Sequence, residues 1–274
     1  VRTLRLSRQA EDVAMAYEKI LYELVDGVAI VRLNDPDTLN ALSQSLAEEL
    51  RDAMGRGQSE GRAILLGSVG RAFCSGANLA DSGFDLADPQ RDVGTRLEMV
   101  FNPLILEMRA SAVPIVTAVR GAAAGIGCAF ACMGDLIVAG ESAYFFQAFG
   151  HIGLVPDGGS TYLLAKAIGR VRAMEMMLLG TKLKAAQALE WGLVNRVVAD
   201  DLVDAEALKL AAGLARGPRS LGYIRAAAWA GLETPLETQL ELERALQREA
   251  CRTDDFVEGV QAFRDKRPPT FTGR

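Results

Sequence analysis

The sequence predicts an α/β fold in which short strands alternate with helices and a ligand gathers at the loops. Three observations predict it. Short apolar runs are separated by stretches of helical period. Glycine-rich segments fall directly after strands, where α/β folds hold their ligands. Beyond about Thr161 the pattern turns almost wholly helical.

Residues 1 to about 16 read as a loosely attached arm. Ile20, Tyr22 and Leu24 alternate with Leu21, Glu23 and Val25, Gly27 makes a turn, and Val28 to Leu33 forms a second strand, a hairpin pattern. Asn34-Asp35-Pro36-Asp37 is a turn cluster. Leu42, Leu46, Leu50 and Met54, four apart, mark a helix. Ala63 to Leu66 is a strand ended by Gly67, and a polar, glycine-rich loop runs to about Arg91. A helix over roughly 95–110, a strand from Pro114 to Val119, a small-residue turn over Gly121 to Gly127, a further helix, and a strand from Leu136 to Ala139 follow. Helices are expected at 159–169, 171–180, 184–191, 203–216, 220–231, 236–250 and 255–265, with a brief strand from Val194 to Val198. Lys266-Arg267-Pro268-Pro269 stops the last helix. The expected organisation is an arm (1–16), a core carrying the site (17–205) and a helical C-terminal region (206–274) whose partly apolar stripe, Leu236, Leu240 and Leu246, packs on the core or on another subunit.

With 274 residues, half of them hydrophobic, the chain can bury an ample core without disulfides or metals. The formal charge of −5 disfavours a general nucleic-acid binder, which needs a basic face. No apolar run reaches the length of a membrane helix, and the first residues have no signal-peptide core. Cys74, Cys128, Cys132 and Cys251 form no CxxC pair; Cys128 and Cys132, one helical turn apart, read as buried thiols rather than a metal pair, since no second ligand pair exists, in keeping with a reducing cytoplasm.

The single histidine, His151, rules out a multi-histidine zinc site. There is no GxSxG elbow and no P-loop, and Gly125-Ile126-Gly127 lacks the third glycine of a dinucleotide fingerprint. More informative are Ala72-Phe73-Cys74-Ser75-Gly76-Ala77-Asn78-Leu79 and Gly121-Ala122-Ala123-Ala124-Gly125-Ile126-Gly127, each after a strand. Small residues admit a ligand to the backbone, and two such loops, each giving one N–H, could form an oxyanion hole. Tight turns and close helix packing account for the same glycines. In the third segment, Ile152 to Thr161, Asp157 sits between a proline and two glycines before an apolar helix. It is either a helix cap or a carboxyl whose pKa rises in an apolar pocket. The aromatic cluster Tyr144, Phe145, Phe146 and Phe149 lines an acyl pocket or is ordinary core.

Together with Thr38-Leu39-Asn40-Ala41-Leu42, Ala188-Leu189-Glu190-Trp191-Gly192-Leu193-Val194 and the end from Phe263 to Gly273, these segments stand in an order that resembles the crotonase (enoyl-CoA hydratase/isomerase) family, from about Tyr17 to Arg274. The resemblance implies a crotonase (ClpP-like) fold of repeated ββα units with a C-terminal trimerisation region, a homotrimer or homohexamer, and an acyl-CoA thioester as substrate. Coenzyme A would enter as part of that substrate, with no covalently bound cofactor and no metal. Carried over by motif, the backbone N–H groups of Ala77 and Ile126 are the oxyanion donors. Ala129 and Phe149 stand where hydratases of the family carry two glutamates, so hydration by that pair is not expected. Asp157 stands where the family's aspartate-dependent isomerases, including ring-epoxide isomerases of phenylacetate degradation, carry their catalytic acid. The expected activity is double-bond or ring isomerisation with Asp157 as proton shuttle. Hydration, a hydrolase or dehalogenase route with Asp157 as nucleophile and His151 as base, and acyl-CoA binding without turnover are the alternatives. Phe146, Phe149, Ala129 and His151 are expected around the substrate, and Arg71, Lys266 and Arg267 near the CoA phosphates, with the tail serving its own or a neighbouring subunit's site.

Overall fold

The structure, a computed structural model, describes residues 17–78 and 85–274. The arm expected at residues 1–16, Leu79 and the adjoining stretch to residue 84 lie outside the described residues.

Strands β1 (Ile20–Val25) and β2 (Val28–Leu33) form the expected antiparallel hairpin. Helix α1 (Gln44–Glu60) starts at Ser43, whose hydroxyl accepts the Leu46 N–H, and buries Leu46, Leu50 and Met54. Strands β3 (Ala63–Ser68) and β4 (Ile115–Val119) join β2 in parallel. Between them runs a continuous helical segment: α2 (Gly94–Arg96), a π-helical turn (Leu97–Phe101) and α3 (Asn102–Arg109).

The span read as a small-residue turn contains a strand, β5 (Ala122–Ala124), followed by α4 (Ile126–Cys132) and β6 (Leu136–Gly140). Strand β7 (Tyr144–Phe146) pairs in parallel with β5 and antiparallel with β8 (Leu183–Lys184) to make a second sheet. Helices α5 (Ser160–Ile168), α6 (Arg170–Leu179) and α7 (Ala185–Glu190) follow, then β9 (Arg196–Val198). Among the described residues the main sheet runs β1-β2-β3-β4-β6-β9, parallel from β2 onward. Its strands β3 and β4 are buried throughout, as a sheet covered on both faces requires.

One core contains α1, α3, α4 and α5 residues such as Leu50, Leu104, Phe130 and Leu164. The other packs Val28, Leu65, Val116 and Val138 against Val203, Ala207, Ala211 and Ala215 of α8 (Val203–Ala215). The expected division at residue 205 therefore falls inside a helix that packs on the sheet. Helices α9 (Ser220–Gly231), α10 (Leu236–Ala250) and α11 (Asp254–Asp265) complete the chain. Arg225 and Trp229 of α9 dock on Asp135. Helix α10 has no buried residue. No helix among the described residues is long and apolar enough to cross a membrane.

Candidate active site

The candidate site is built where the first glycine-rich segment lies between two others. Asn40, fully buried, donates from Nδ2 to the carbonyls of Val69 (3.0 Å) and Ala72 (2.9 Å), pinning the loop after β2 to the loop after β3. Along one edge of the segment, Cys74 N–H bonds Ala122 O and Ala124 N–H bonds Cys74 O, both at 2.9 Å. Along the other, Leu42 N–H bonds Gly76 O (2.7 Å) and Asn78 N–H bonds Leu42 O (3.0 Å). The peptide is trans, so the Ala77 N–H points opposite to the Gly76 carbonyl and away from Leu42.

The second loop is pressed against the first. A Cβ on Gly125 would lie 3.5 Å from Gly76 Cα, and one on Gly76 (φ +107°) only 3.2 Å from Ala124 O. Glycine at both places lets the two backbones meet. Gly125 donates to Phe146 O (2.9 Å), and Ile126 then opens α4, where a first-turn N–H has no partner within its helix.

Around this junction lies a cavity of about 990 Å³. Gly76, Ala77, Gly125, Ala148, Phe149 and Asp157 line it near the two loops. Asp157 is half-buried, and its Oδ1 has no hydrogen-bond partner among the described residues. It is not the cap of α5, whose N-cap position is Gly159. Desolvation pushes its carboxyl up to about 6, opposed only by a backbone hydrogen bond. Gly158 (φ +59°) holds the carboxyl in place: a Cβ there would stand 2.9 Å from Ile126 Cγ1 and 3.0 Å from Ala129 Cβ. The residue after Asp157 thus rests on the first turn of α4.

The other expected site residues divide between the cavity and its surroundings. Phe149 lines the cavity, its ring edge 3.6 Å from a Cβ built on Gly125. Ala129 is fully buried beneath Gly158 and lies behind the wall. Phe146 and His151 are not among the lining residues: their rings pack together 5.8 Å apart, Lys182 lies over Phe146, and His151 is wedged against Gly180. Both were expected around the substrate, and neither lines this cavity. Arg267 binds Glu258 through both guanidinium nitrogens, at 2.7 and 2.8 Å, so within this chain it is engaged by a carboxylate. Lys266 is exposed at the end of α11, and Arg71 is exposed beside Gly121, which packs on its carbonyl.

One wall carries no sequence motif. Leu97, Met99, Val100 and Phe101, all in the π-helical turn, line the cavity together with Ile152, Leu154 and Val155. Asp92 also lines it, with its carboxylate accepting the Gly94 N–H at 2.7 Å. The available signal for the wall was Pro103, which cannot supply a helical N–H.

The sequence model of the enoyl-CoA hydratase/isomerase family matches residues 23–274. The chain belongs to that family. A probable enoyl-CoA hydratase of Rhodobacter capsulatus is 42% identical over 95% of this chain and 100% of its own length. The 1,2-epoxyphenylacetyl-CoA isomerase of Escherichia coli is 40% identical over 94% of this chain and 99% of its own. The crystal structure of a putative enoyl-CoA hydratase/isomerase from Mycobacterium abscessus superposes with a TM-score of 0.88 at 32% identity, covering 93% of this chain and 100% of that one. The fold is therefore the crotonase fold expected from the motifs, and the family's acyl-CoA thioester is the class of substrate.

Proposed function

We propose that this enoyl-CoA hydratase/isomerase family member is an isomerase, moving a double bond or opening a ring in an acyl-CoA thioester with Asp157 as the one proton carrier. The observation that carries the reading is the Asp157 carboxyl: it lines the cavity, lacks a charged partner among the described residues and has its pKa pushed by desolvation up to about 6, near the range a general base needs at neutral pH. The N–H groups of Ala77 and Ile126 supply the oxyanion hole for the thioester enolate. Asp157 removes a proton from a carbon conjugated to the carbonyl, the electron pair moves to the carbonyl oxygen, and the same carboxyl returns the proton at another carbon. Ala129 and Phe149 provide no polar group to hold a water, and an ordered water needs two to four such partners. Hydration is therefore disfavoured.

The nucleophilic route is less well supported, because His151 packs on Phe146 and Gly180, away from Asp157. Coenzyme A is taken to arrive with the substrate, and the four free cysteines suit the cytoplasm. We also propose a homotrimer or homohexamer. Leu236 and Leu240 of α10, Phe256 and Phe263 of α11, and Val171 and Leu178 of α6 are all exposed in the single chain.

Incubation of wild type and Asp157→Asn with 3-enoyl-, 2-enoyl-, dienoyl- and arylacetyl-type CoA thioesters, followed by mass spectrometry, tests the activity. A rearranged product of unchanged mass from wild type alone is expected. Gain of one water on a 2-enoyl thioester would refute the reading.

A further inference from the structure

We propose that the π-helical turn Leu97–Phe101 is the acyl-selecting wall of the cavity, and that it favours a bulky acyl group, branched or cyclic, over a short straight one. The proposal rests on the reading of this cavity as the thioester site.

The turn has a cause in the sequence. Pro103 sits in the first turn of α3, has no N–H, and its ring crowds the carbonyl four residues earlier, that of Met99. A regular α-helix cannot pass through that point. The Asn102 N–H reaches instead to Leu97 O, five residues back, and one extra residue is accommodated in the turn. Beyond it, α3 is locked in the core by Leu104 and Met108, both fully buried.

The extra residue is spent on the cavity. Four of the five residues of the turn line it, and all four are apolar: Leu97, Met99, Val100 and Phe101. Met99 is 68% exposed, whereas Phe101 is 1% exposed and anchors the turn. The loop before Asp157 adds Ile152, Leu154 and Val155 to the same cavity, of which Val155 is 78% exposed. Large apolar side chains held against water next to a catalytic carboxyl gain most from a ligand that covers them. At about 990 Å³ the space stands near the top of the roughly 300–1,000 Å³ usual for ligand pockets. A four-carbon chain would leave most of that wall wet, while each additional buried methylene is worth roughly a fourfold gain in affinity.

The test is binding of two unreactive thioesters, cyclohexylacetyl-CoA and butyryl-CoA, by calorimetry. Wild type, Val100→Trp, and a variant combining deletion of Met99 with Pro103→Ala are compared. Wild type is expected to bind the cyclic thioester at least tenfold more tightly. Val100→Trp, which keeps the chain length and fills the wall, should bring that ratio to within about twofold of one. The deletion variant, in which a continuous α-helix becomes possible, should lower it as well. A Val100→Trp protein that keeps the wild-type ratio overturns the proposal, whether or not the deletion variant folds. Because neither thioester reacts, failure of the isomerase reading would show separately, as absence of turnover by a wild type that still discriminates between the two ligands.

Discussion

Asp135 and Asp157 lie on the same core scaffold and are treated in opposite ways. The Asp135 carboxylate accepts the Ile115 N–H (2.8 Å), the Arg225 Nε–H (2.7 Å) and the Trp229 Nε1–H (3.1 Å). Arg225, only 3% exposed in its side chain, also donates to the carbonyls of Met108, Arg109 and Ser111 at the end of α3. Asp157 has an oxygen with no partner and a carboxyl raised by desolvation. A fully satisfied carboxylate fastens α9 to the sheet; an unsatisfied one is held ready for a proton. The difference separates the aspartate that fastens the fold from the one proposed above to carry the proton.

The comparison can be broken most severely at Asp157 itself. Asp157→Asn should lower kcat for isomerisation by about 100- to 10,000-fold, the usual worth of general acid–base catalysis, with KM for the thioester changed little. Steady-state kinetics with a 3-enoyl-CoA would check it. At Asp135 the loss should appear in stability. Asp135→Ala leaves the Arg225 guanidinium buried without its counter-charge and should cost about 3–5 kcal/mol, read by urea unfolding.

The oxyanion donors sharpen the contrast further. Ile126→Pro removes one N–H at the first position of α4, a place where proline fits a helix, and should reduce kcat about 100-fold. The smallest effect concerns stability and pH. Asp157 binds protons more tightly when folded, at about 6 against an ordinary 3.8, so its contribution to stability falls as pH rises through that window. Asp157→Asn should therefore be more stable than wild type by up to about 3 kcal/mol at neutral pH, and the gain should vanish below about pH 4. Isomerase activity of the wild type should decline as pH falls through about 6, where the base becomes protonated.

Much of this arrangement was legible in the residues. Alternation gave β1 and β2, and the four-residue spacing of Leu42, Leu46, Leu50 and Met54 gave α1, with Leu42 itself lying just ahead of the helix. Helices α5 to α11 fell close to the expected spans because their apolar faces keep a helical period. The second sheet was not legible. Three alanines have little intrinsic strand preference, and β5 exists because Cys74 and β7 pair with it on either side. The motifs picked out Ala77, Phe149 and Asp157, all of which line one cavity. His151 and Phe146 pack on each other rather than lining the cavity, because adjacency in sequence does not say which way a ring turns. The π-helical wall was missed because hydrophobic periodicity assumes an unbroken helix, and Pro103 breaks it by removing a donor rather than by changing the pattern.

The loops of the site are joined by contacts between distant parts of the chain, among them Leu42 with Ala77, Cys74 with Ala123, Gly125 with Phe146, and Gly158 with Ile126. None of these is made by a locally formed helix or hairpin. Pairings of large sequence separation form late, after their loops have closed. During refolding, helical circular dichroism should therefore recover well before the chain regains its ability to capture a thioester. The emerging polypeptide would remain blind to its ligand until the small second sheet has closed.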